Sequence, residues 1–507
     1  MAVPTGKVYL VGSGPGDPGL LTLRGRELLA RADVVLYDYL ANPLLMRHAQ
    51  ADAELICLGR HGQAQGRGRI VDQEDIHRQM VAAAQNGKQV VRLKGGDPGV
   101  FGRMGEELAA LEAAGVAYEI VPGVTAALAA SSYSGVPLTH RDHASCVALI
   151  TGQESRMKSG SKLDMAGLAR FPGTLVFYMG VTTAPDWSSE LIAHGKPGDT
   201  PVAIVRHASL PTQKVLTSTL GELASVLAPG KIRPPAIIVV GEAVVARSTL
   251  QWFSSRPLFG RQVLVARPEH QAAELTAQLS ELGASVLLQP GISINEPKDW
   301  QPVDEAISRF AEYDWLVFSS VNGVNYFLER LLKSGSDLRS LSGIKLASVG
   351  PGTTEALAAF HLKADLQPDE YRAEALAEAL SGEAEGNRFL LLRASRGREV
   401  LAELLRSAGA EVEQVVVYQS SDVIEPAEEV GTAMATGKVD WTLVTSSAIA
   451  RSLIAMFGEQ LHQTRLAAIS PITADVLSEA GYSPTVVAEQ HTPESLLVAI
   501  LAAETAG

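Results

Sequence analysis

The chain has 507 residues, 46% of them hydrophobic, 20% charged and 5% aromatic, with a formal net charge of −13. That length predicts about three domains, the acidic balance excludes a general nucleic-acid binder, and no apolar run approaches the ~20 residues of a membrane span. Cys57 and Cys146 stand apart with no C-x-x-C pair, which fits a reducing cytosol and argues against structural zinc. The N-terminus runs into a strand too soon to leave room for a signal peptide.

Lys7 to Ala30 reads KVYLVGSGPGDPGLLTLRGRELLA. Its apolar run predicts a strand over Val8–Val11, and Gly12, Gly14 and Gly16 with Pro15 and Pro18 predict a sharp turn. Thr22 then caps a helix whose apolar side is Leu23, Leu28 and Leu29. Such a strand, turn and helix present backbone N–H groups where nucleotide-like ligands bind. The dinucleotide fingerprint fails at Asp17, the Walker sequence is missing, and Pro15 has no N–H to offer a pyrophosphate. Val34–Tyr37 is a second strand that ends at Asp38, where a nicotinamide enzyme would hold its ribose hydroxyls. Val90 to Glu107, VVRLKGGDPGVFGRMGEE, repeats the pattern, with Asp97 placed to contact a ligand or to cap the next helix. His140 and His143 have the spacing of metal ligands.

GSGPGDPGLLT, Asp38 in VVLYDYL, RLKGGDP, FGR-x-GEE, VPGVTAALAA and GVPLTHRD occur in one order from about Lys7 to Arg247. Together they resemble the uroporphyrinogen-III C-methyltransferases. The resemblance implies the two-lobed tetrapyrrole methyltransferase fold over 1–247, with lobes of about 1–138 and 139–247 and S-adenosylmethionine bound between them. Pro15, Gly95, Gly96, Asp97, Val100, Thr125, Ala126, Met179, Ala208 and Ala236 fall at its cofactor positions, and Asp38 at its proposed general base. Arg60 stands where the family usually has a proton-donating lysine. Arginine keeps the charge but donates poorly near neutral pH, so the role becomes electrostatic or the donor lies elsewhere. Gly99 and Val100 replace the usual aromatic and aliphatic pair. The THRD match removes the metal reading of the two histidines. A polycarboxylate substrate needs local cations in an acidic protein; Arg60, His61, Arg67, Arg69 and Arg141 are candidates. The family's habit implies a homodimer through this half.

Arg247 to Arg261, RSTLQWFSSRPLFGR, breaks periodicity, and a linker is placed at 248–260. Beyond it the chain repeats itself at one offset. Arg267 and Arg393 each end a strand, Gly283-Ala284 and Gly409-Ala410 close helices, and Asp314-Trp315 and Asp440-Trp441 lead to Ser319-Ser320 and Thr445-Ser446. A further pair outside that offset, ASVGPGTTEAL and AAISPITADVL, aligns Thr353 with Thr473. The period is too long for a solenoid, so two similar α/β lobes are expected, each with small hydroxyl residues at helix N-termini suited to carboxylates.

This half resembles uroporphyrinogen-III synthase, which implies a two-lobed α/β fold over 261–507. Its lobes interleave, about 261–293 plus 421–507 forming one and about 294–420 the other. By the resemblance Arg267, Ser320, Thr353, Arg393, Ser446 and Thr473 contact substrate, Tyr418 is the candidate acid, and no cofactor is needed. Tyr418 also suits a plain core position at a strand end.

The expected protein is a cytosolic bifunctional α/β enzyme. It cyclises hydroxymethylbilane to uroporphyrinogen III with inversion of ring D, then methylates the product twice to precorrin-2. No stretch suggests the dehydrogenase and ferrochelatase steps of sirohaem synthesis. Two other readings stand at this stage: a nicotinamide oxidoreductase using Gly12–Gly16 and Asp38, and a tetrapyrrole carrier that has lost the chemistry of Tyr418.

Overall fold

The computed structural model describes residues 6–59, 72–154, 163–228, 232–248 and 251–506. Arg60, His61, Arg67 and Arg69 lie outside the described residues. The chain forms two compact units, Met1–Arg261 with Leu279–Ser285, and Gln262–Gln278 with Val286–Gly507.

In the first unit β1 (Lys7–Gly12), β2 (Val34–Tyr37), β3 (Glu54–Cys57), β4 (Gln89–Lys94) and β5 (Ala117–Val121) form one sheet in the order β3-β2-β4-β1-β5. All its pairings are parallel, so the strand ends Gly12, Asp38, Gly95 and Pro122 share one edge. Apolar strands buried on both faces produce this arrangement. Val8, Leu10 and Leu36 pack on one side, Val11, Val35 and Leu93 on the other. Thr22 caps the helix Leu23–Leu29, its Oγ1 accepting from Gly25 N–H at 3.1 Å. Leu23 corrects the sequence reading: it is 79% exposed, because Gly25, Leu28 and Leu29 are the residues that face the sheet.

A second sheet follows, built from β6 (Val147–Thr151), β7 (Thr174–Tyr178), β8 (Pro201–Arg206), β9 (Lys214–Thr219) and β10 (Ala236–Val240), in the order β6-β7-β10-β8-β9. It is mixed, since only β6 and β7 run parallel. The segment read as a linker is packed from Gln251 onward. Phe253 and Leu258 are buried, the Phe253 ring meets Tyr133 edge-on at 4.7 Å, and Arg256 stacks on Trp252 and Phe253. Burial of such aromatics outweighs the polar composition around them.

The second unit interleaves two sheets. β11 (Gln262–Val265) and β12 (Ser285–Leu288) join strands from the chain's end, and β13 (Ile292–Asn295), β14 (Trp315–Phe318), β15 (Lys345–Ser348), β16 (Arg388–Ala394) and β17 (Glu411–Asp422) lie between. β18 (Trp441–Val444), β19 (Arg465–Ala468) and β20 (Val486–Val487) complete the set. The sheet orders are β12-β11-β18-β19-β20 and β13-β17-β16-β14-β15. The two crossings between lobes run side by side, where Val423 N–H donates to Gly291 carbonyl at 3.0 Å and Ser452 Oγ donates to Asp422 at 3.1 Å.

Candidate active sites

The first site grows from the shared edge of the parallel sheet. Gly12, Gly96 and Gly123 bring three loops together so closely that side chains are excluded. A Cβ on Gly12 would lie 2.6 Å from Gly123 Cα, and one on Gly123 would lie 2.2 Å from the Gly96 oxygen. Gly14 and Gly96 exchange backbone hydrogen bonds at 3.2 and 2.8 Å. Asp97 clamps this arrangement, accepting from Gly99 N–H at 2.8 Å and Gly123 N–H at 2.9 Å. Its carboxylate therefore shapes the loops, and it is not the cap of the following helix. Thr125 Oγ1 and the Tyr178 hydroxyl lie 2.7 Å apart, and that hydroxyl also accepts from Ala127 N–H at 3.0 Å. Burial pushes the Tyr178 phenol above its ordinary value, so it remains a neutral bridge.

The resulting hollow has a backbone floor and an apolar rim. A Cβ on Gly95 would meet only Leu40, at 3.3 Å, and one on Gly96 would meet nothing nearer than 3.8 Å. Leu40, Phe101 and Met179 remain exposed around it, with the Phe101 ring tilted against Tyr178 at 4.9 Å. Phe101, Arg103, Met179, His207 and Ser209 all hold positive φ, which for such residues costs energy and concentrates at functional sites. A floor of glycines with apolar side chains above suits a cofactor that combines polar ends with a flat ring and a sulfonium.

Of the predicted cofactor residues, Gly95, Gly96, Thr125 and Ala126 lie at this hollow, and Val100, Ala126 and Ala208 share one apolar cluster. Pro15 sits in the loop after β1, where Asn42 donates to Gly16 carbonyl at 2.7 Å. Ala236 is separated from them: its side chain joins the cluster of Phe177, Trp187 and Ile238 on the other face of the sheet, because alternate strand residues point to opposite faces. Arg141 lies exposed in the turn after the first lobe.

Asp38 follows β2 beside this hollow. Arg92 donates to its Oδ1 at 2.6 Å, and Gly95 N–H approaches Oδ2 at 3.3 Å. Arg92 also donates to Glu107 at 3.1 Å, and Lys94 donates to the other Glu107 oxygen at 2.6 Å. The side chains of Arg92, Lys94 and Glu107 are 2, 3 and 0% exposed against 28% for Asp38. Sequence reasoning missed this network, although two cations inside the apolar strand VVRLK required buried partners.

The second site forms around β14, β17 and the helix starts of both lobes. Ser320 caps the helix Val321–Lys333, accepting from Gly323 N–H at 3.0 Å, and its hydroxyl lies 3.1 Å from that of Tyr418. The Tyr418 ring is buried and stacked on Tyr326 at 6.0 Å. Asn322, two residues after Ser320, accepts from Gln271 of the other lobe at 3.2 Å, so the two helix starts face each other. Ser446 caps its helix by accepting from Ile449 N–H at 3.2 Å. Thr473 is buried beside Ser470, the helix cap that the sequence reading overlooked, with their hydroxyls 3.1 Å apart. Thr353 is buried in the first turn of the helix Pro351–Ala359. Arg267 has no hydrogen-bond partner among the described residues, and burial pushes its guanidinium down while Glu494 opposes the shift. Arg393 differs, since Glu399, Gln414 and the carbonyls of Ala394 and Gly397 occupy it. It braces its own loop and offers no open cation.

Family models match both regions. One, described as tetrapyrrole (corrin/porphyrin) methylases, covers residues 7–224, and another, described as uroporphyrinogen-III synthase HemD, covers 273–498. The porphyrin biosynthesis protein HemD of Ruminiclostridium josui is 34% identical over 500 residues, 98% of each chain. The uroporphyrinogen-III C-methyltransferase of Bacillus subtilis (strain 168) is 39% identical over 370 residues, 73% of this chain and 75% of that one. The uroporphyrin-III C-methyltransferase structure of Thermus thermophilus complexed with S-adenyl homocysteine is 42% identical, with a TM-score of 0.40, covering 47% of this chain and 99% of that one.

Proposed function

This chain belongs to the tetrapyrrole methylase and uroporphyrinogen-III synthase families, joined in one polypeptide, and we propose that its second unit makes the tetrapyrrole that its first unit methylates. It is a bifunctional enzyme of tetrapyrrole biosynthesis. We assign hydroxymethylbilane as the starting substrate, uroporphyrinogen III as the intermediate and precorrin-2 as the product. The observation that carries the reading is the carboxylate of Asp38 fixed beside the glycine hollow.

Gly95, Gly96, Thr125 and Ala126 would hold S-adenosylmethionine, which would supply an electrophilic methyl group. Arg92 holds Oδ1 of Asp38, which among the described residues leaves Oδ2 with only the long Gly95 contact. That oxygen is placed to accept the proton that the pyrrole releases on methylation. Leu40, Phe101 and Met179 exclude water around the transfer. In the second unit the Tyr418 hydroxyl donates to the departing hydroxyl of hydroxymethylbilane as the C–O bond breaks. Ser320 then donates to the phenolate and lowers its energy. Arg267, which has no hydrogen-bond partner among the described residues, and the capped helix starts hold substrate carboxylates, and closure of the cleft favours the inverted ring. Synthase chemistry of this kind uses no cofactor.

A homodimer through the first unit and a cytosolic location complete the proposal. β3 is an edge strand with Leu55 exposed, and among the described residues no helix is long and apolar enough to cross a membrane. Asp38→Asn and Tyr418→Phe test the assignment. The first variant should convert hydroxymethylbilane to unmethylated uroporphyrinogen III at the wild-type rate. The second should lose about 10²-fold in cyclisation yet methylate supplied uroporphyrinogen III normally. A Tyr418→Phe enzyme with full synthase turnover removes the acid, and a methylating Asp38→Asn enzyme removes the base.

A further inference from the structure

The network behind Asp38 contains more charge than holding one carboxylate requires. Glu107 on the helix Met104–Ala113 is wholly enclosed, with one oxygen on Arg92 and the other on Lys94. Lys94 ends β4 and is equally enclosed, so neither residue reaches the cleft. Burying two cations in a sheet is costly unless each has a counter-ion. Here two carboxylates balance them, and Asp38 is the partly exposed member. Burial, and then the charge of Arg92, push the Lys94 ammonium down, while Glu107 and Asp38 pull it back up. The four groups therefore form one coupled electrostatic unit with a single outlet.

We propose that Glu107 and Lys94 are positioning residues that act through Arg92 to set how readily Asp38 takes a proton during methyl transfer. The inference rests on Asp38 as the base. Other groups around the unit are His77 and Gln73 on the helix Gln73–Gln85, with Gln73 donating to Glu107 at 3.4 Å. Glu106 and Arg103 pair with each other at the start of the Met104–Ala113 helix, and Tyr37 and Cys57 end the neighbouring strands. Of these, Gln73 alone hydrogen-bonds to the network, while Arg103 and Glu106 reach Glu107 and Lys94 through charge without a hydrogen bond, so the groups in direct contact that bear on Asp38 are Arg92, Lys94 and Glu107. Removing the Glu107 charge leaves Asp38 facing two cations, which disfavours its protonation. Removing the Lys94 charge leaves two carboxylates sharing Arg92, which favours it.

The test is the pH dependence of kcat/KM for methylation of uroporphyrinogen III by the full chain, with its synthase activity measured on the same samples. Glu107→Gln should move the acid limb to lower pH and Lys94→Met should move it to higher pH, each by about one unit. The neutral double variant should return it near the wild-type position. Opposite displacements from two buried substitutions distinguish charge tuning from structural damage. If Glu107→Gln does not fold, Lys94→Met and the double variant still decide the matter by their relative positions. Limbs that stay together, or that move in one direction, overturn the inference while an inactive Asp38→Asn enzyme upholds the base. An Asp38→Asn enzyme that methylates with an unchanged acid limb overturns both.

Discussion

Gly123→Ala perturbs the first site without touching a charged group. The new Cβ would lie 2.2 Å from the Gly96 oxygen and 2.8 Å from Gly12 Cα. Both neighbours are backbone, so neither can rotate away. Bringing the closer contact to 3.0 Å, below which real Cβ contacts essentially do not occur, separates the loops after β4 and β5 by roughly 0.8 Å. The shift also pulls Gly123 N–H from Asp97, which joins these loops. Overpacking of this kind costs about 1–3 kcal/mol. If the strain falls on the arrangement that binds cofactor, affinity for S-adenosylhomocysteine drops about 5- to 150-fold. Calorimetric titration of S-adenosylhomocysteine into the full chain measures this, and an intact synthase rate in the same sample reports correct folding of the second unit. An alanine variant that binds within twofold of wild type would refute the glycine hollow as the cofactor floor.

Two further predictions concern charges outside the hollow. Glu119 is held down at about 2, first by the hydrogen bond from Arg24 and then by that from Lys7, which ties β5 to β1 and to the helix Leu23–Leu29. A depressed carboxylate stabilises the fold above its unfolded value and loses that contribution as pH falls from about 4.5 towards 2. Thermal denaturation across that window should show a steeper loss for wild type than for Glu119→Gln, and parallel curves would contradict the linkage. Arg267→Leu should raise KM for hydroxymethylbilane about tenfold with little change in overall fold, because the guanidinium has no hydrogen-bonded partner to lose among the described residues. An unchanged KM would remove Arg267 from the substrate site.

Much of this architecture could be read from local patterns, because β1 and β4 are short apolar runs that break into glycine and β2 is one that ends at Asp38. The cap at Thr22 and the hydroxyl caps at Ser320 and Ser446 were legible for the same reason, since each depends on residues a few positions apart. What escaped depends on long-range packing. Arg92 and Lys94 announce that partners must exist, yet only the packing of the following helix on the sheet identifies Glu107 as the shared one. Ala236 and Ala208 look alike in sequence, but Ala236 lies in β10 and Ala208 in the turn after β8, and they join apolar clusters on opposite faces of the sheet. Arg393 matches Arg267 in the repeat, while Glu399 and Gln414, which have no counterparts around Arg267, occupy it. Trp252, Phe253 and Phe259 were the overlooked signal that the supposed linker is packed, given how few aromatics the chain contains. Asp38, which a nicotinamide reading would give to a ribose, lies in a stretch that matches the tetrapyrrole methylases over residues 7–224, and this match counts against that alternative.

The measurement that bears most directly on the whole account is one anaerobic incubation of the purified chain with hydroxymethylbilane and S-adenosylmethionine, followed by absorbance and mass. A product carrying two added methyl groups, formed without any other enzyme, is the predicted result. Isomer I of uroporphyrinogen, the product of spontaneous closure, would contradict the synthase assignment, and unmethylated isomer III would contradict the methyltransferase assignment.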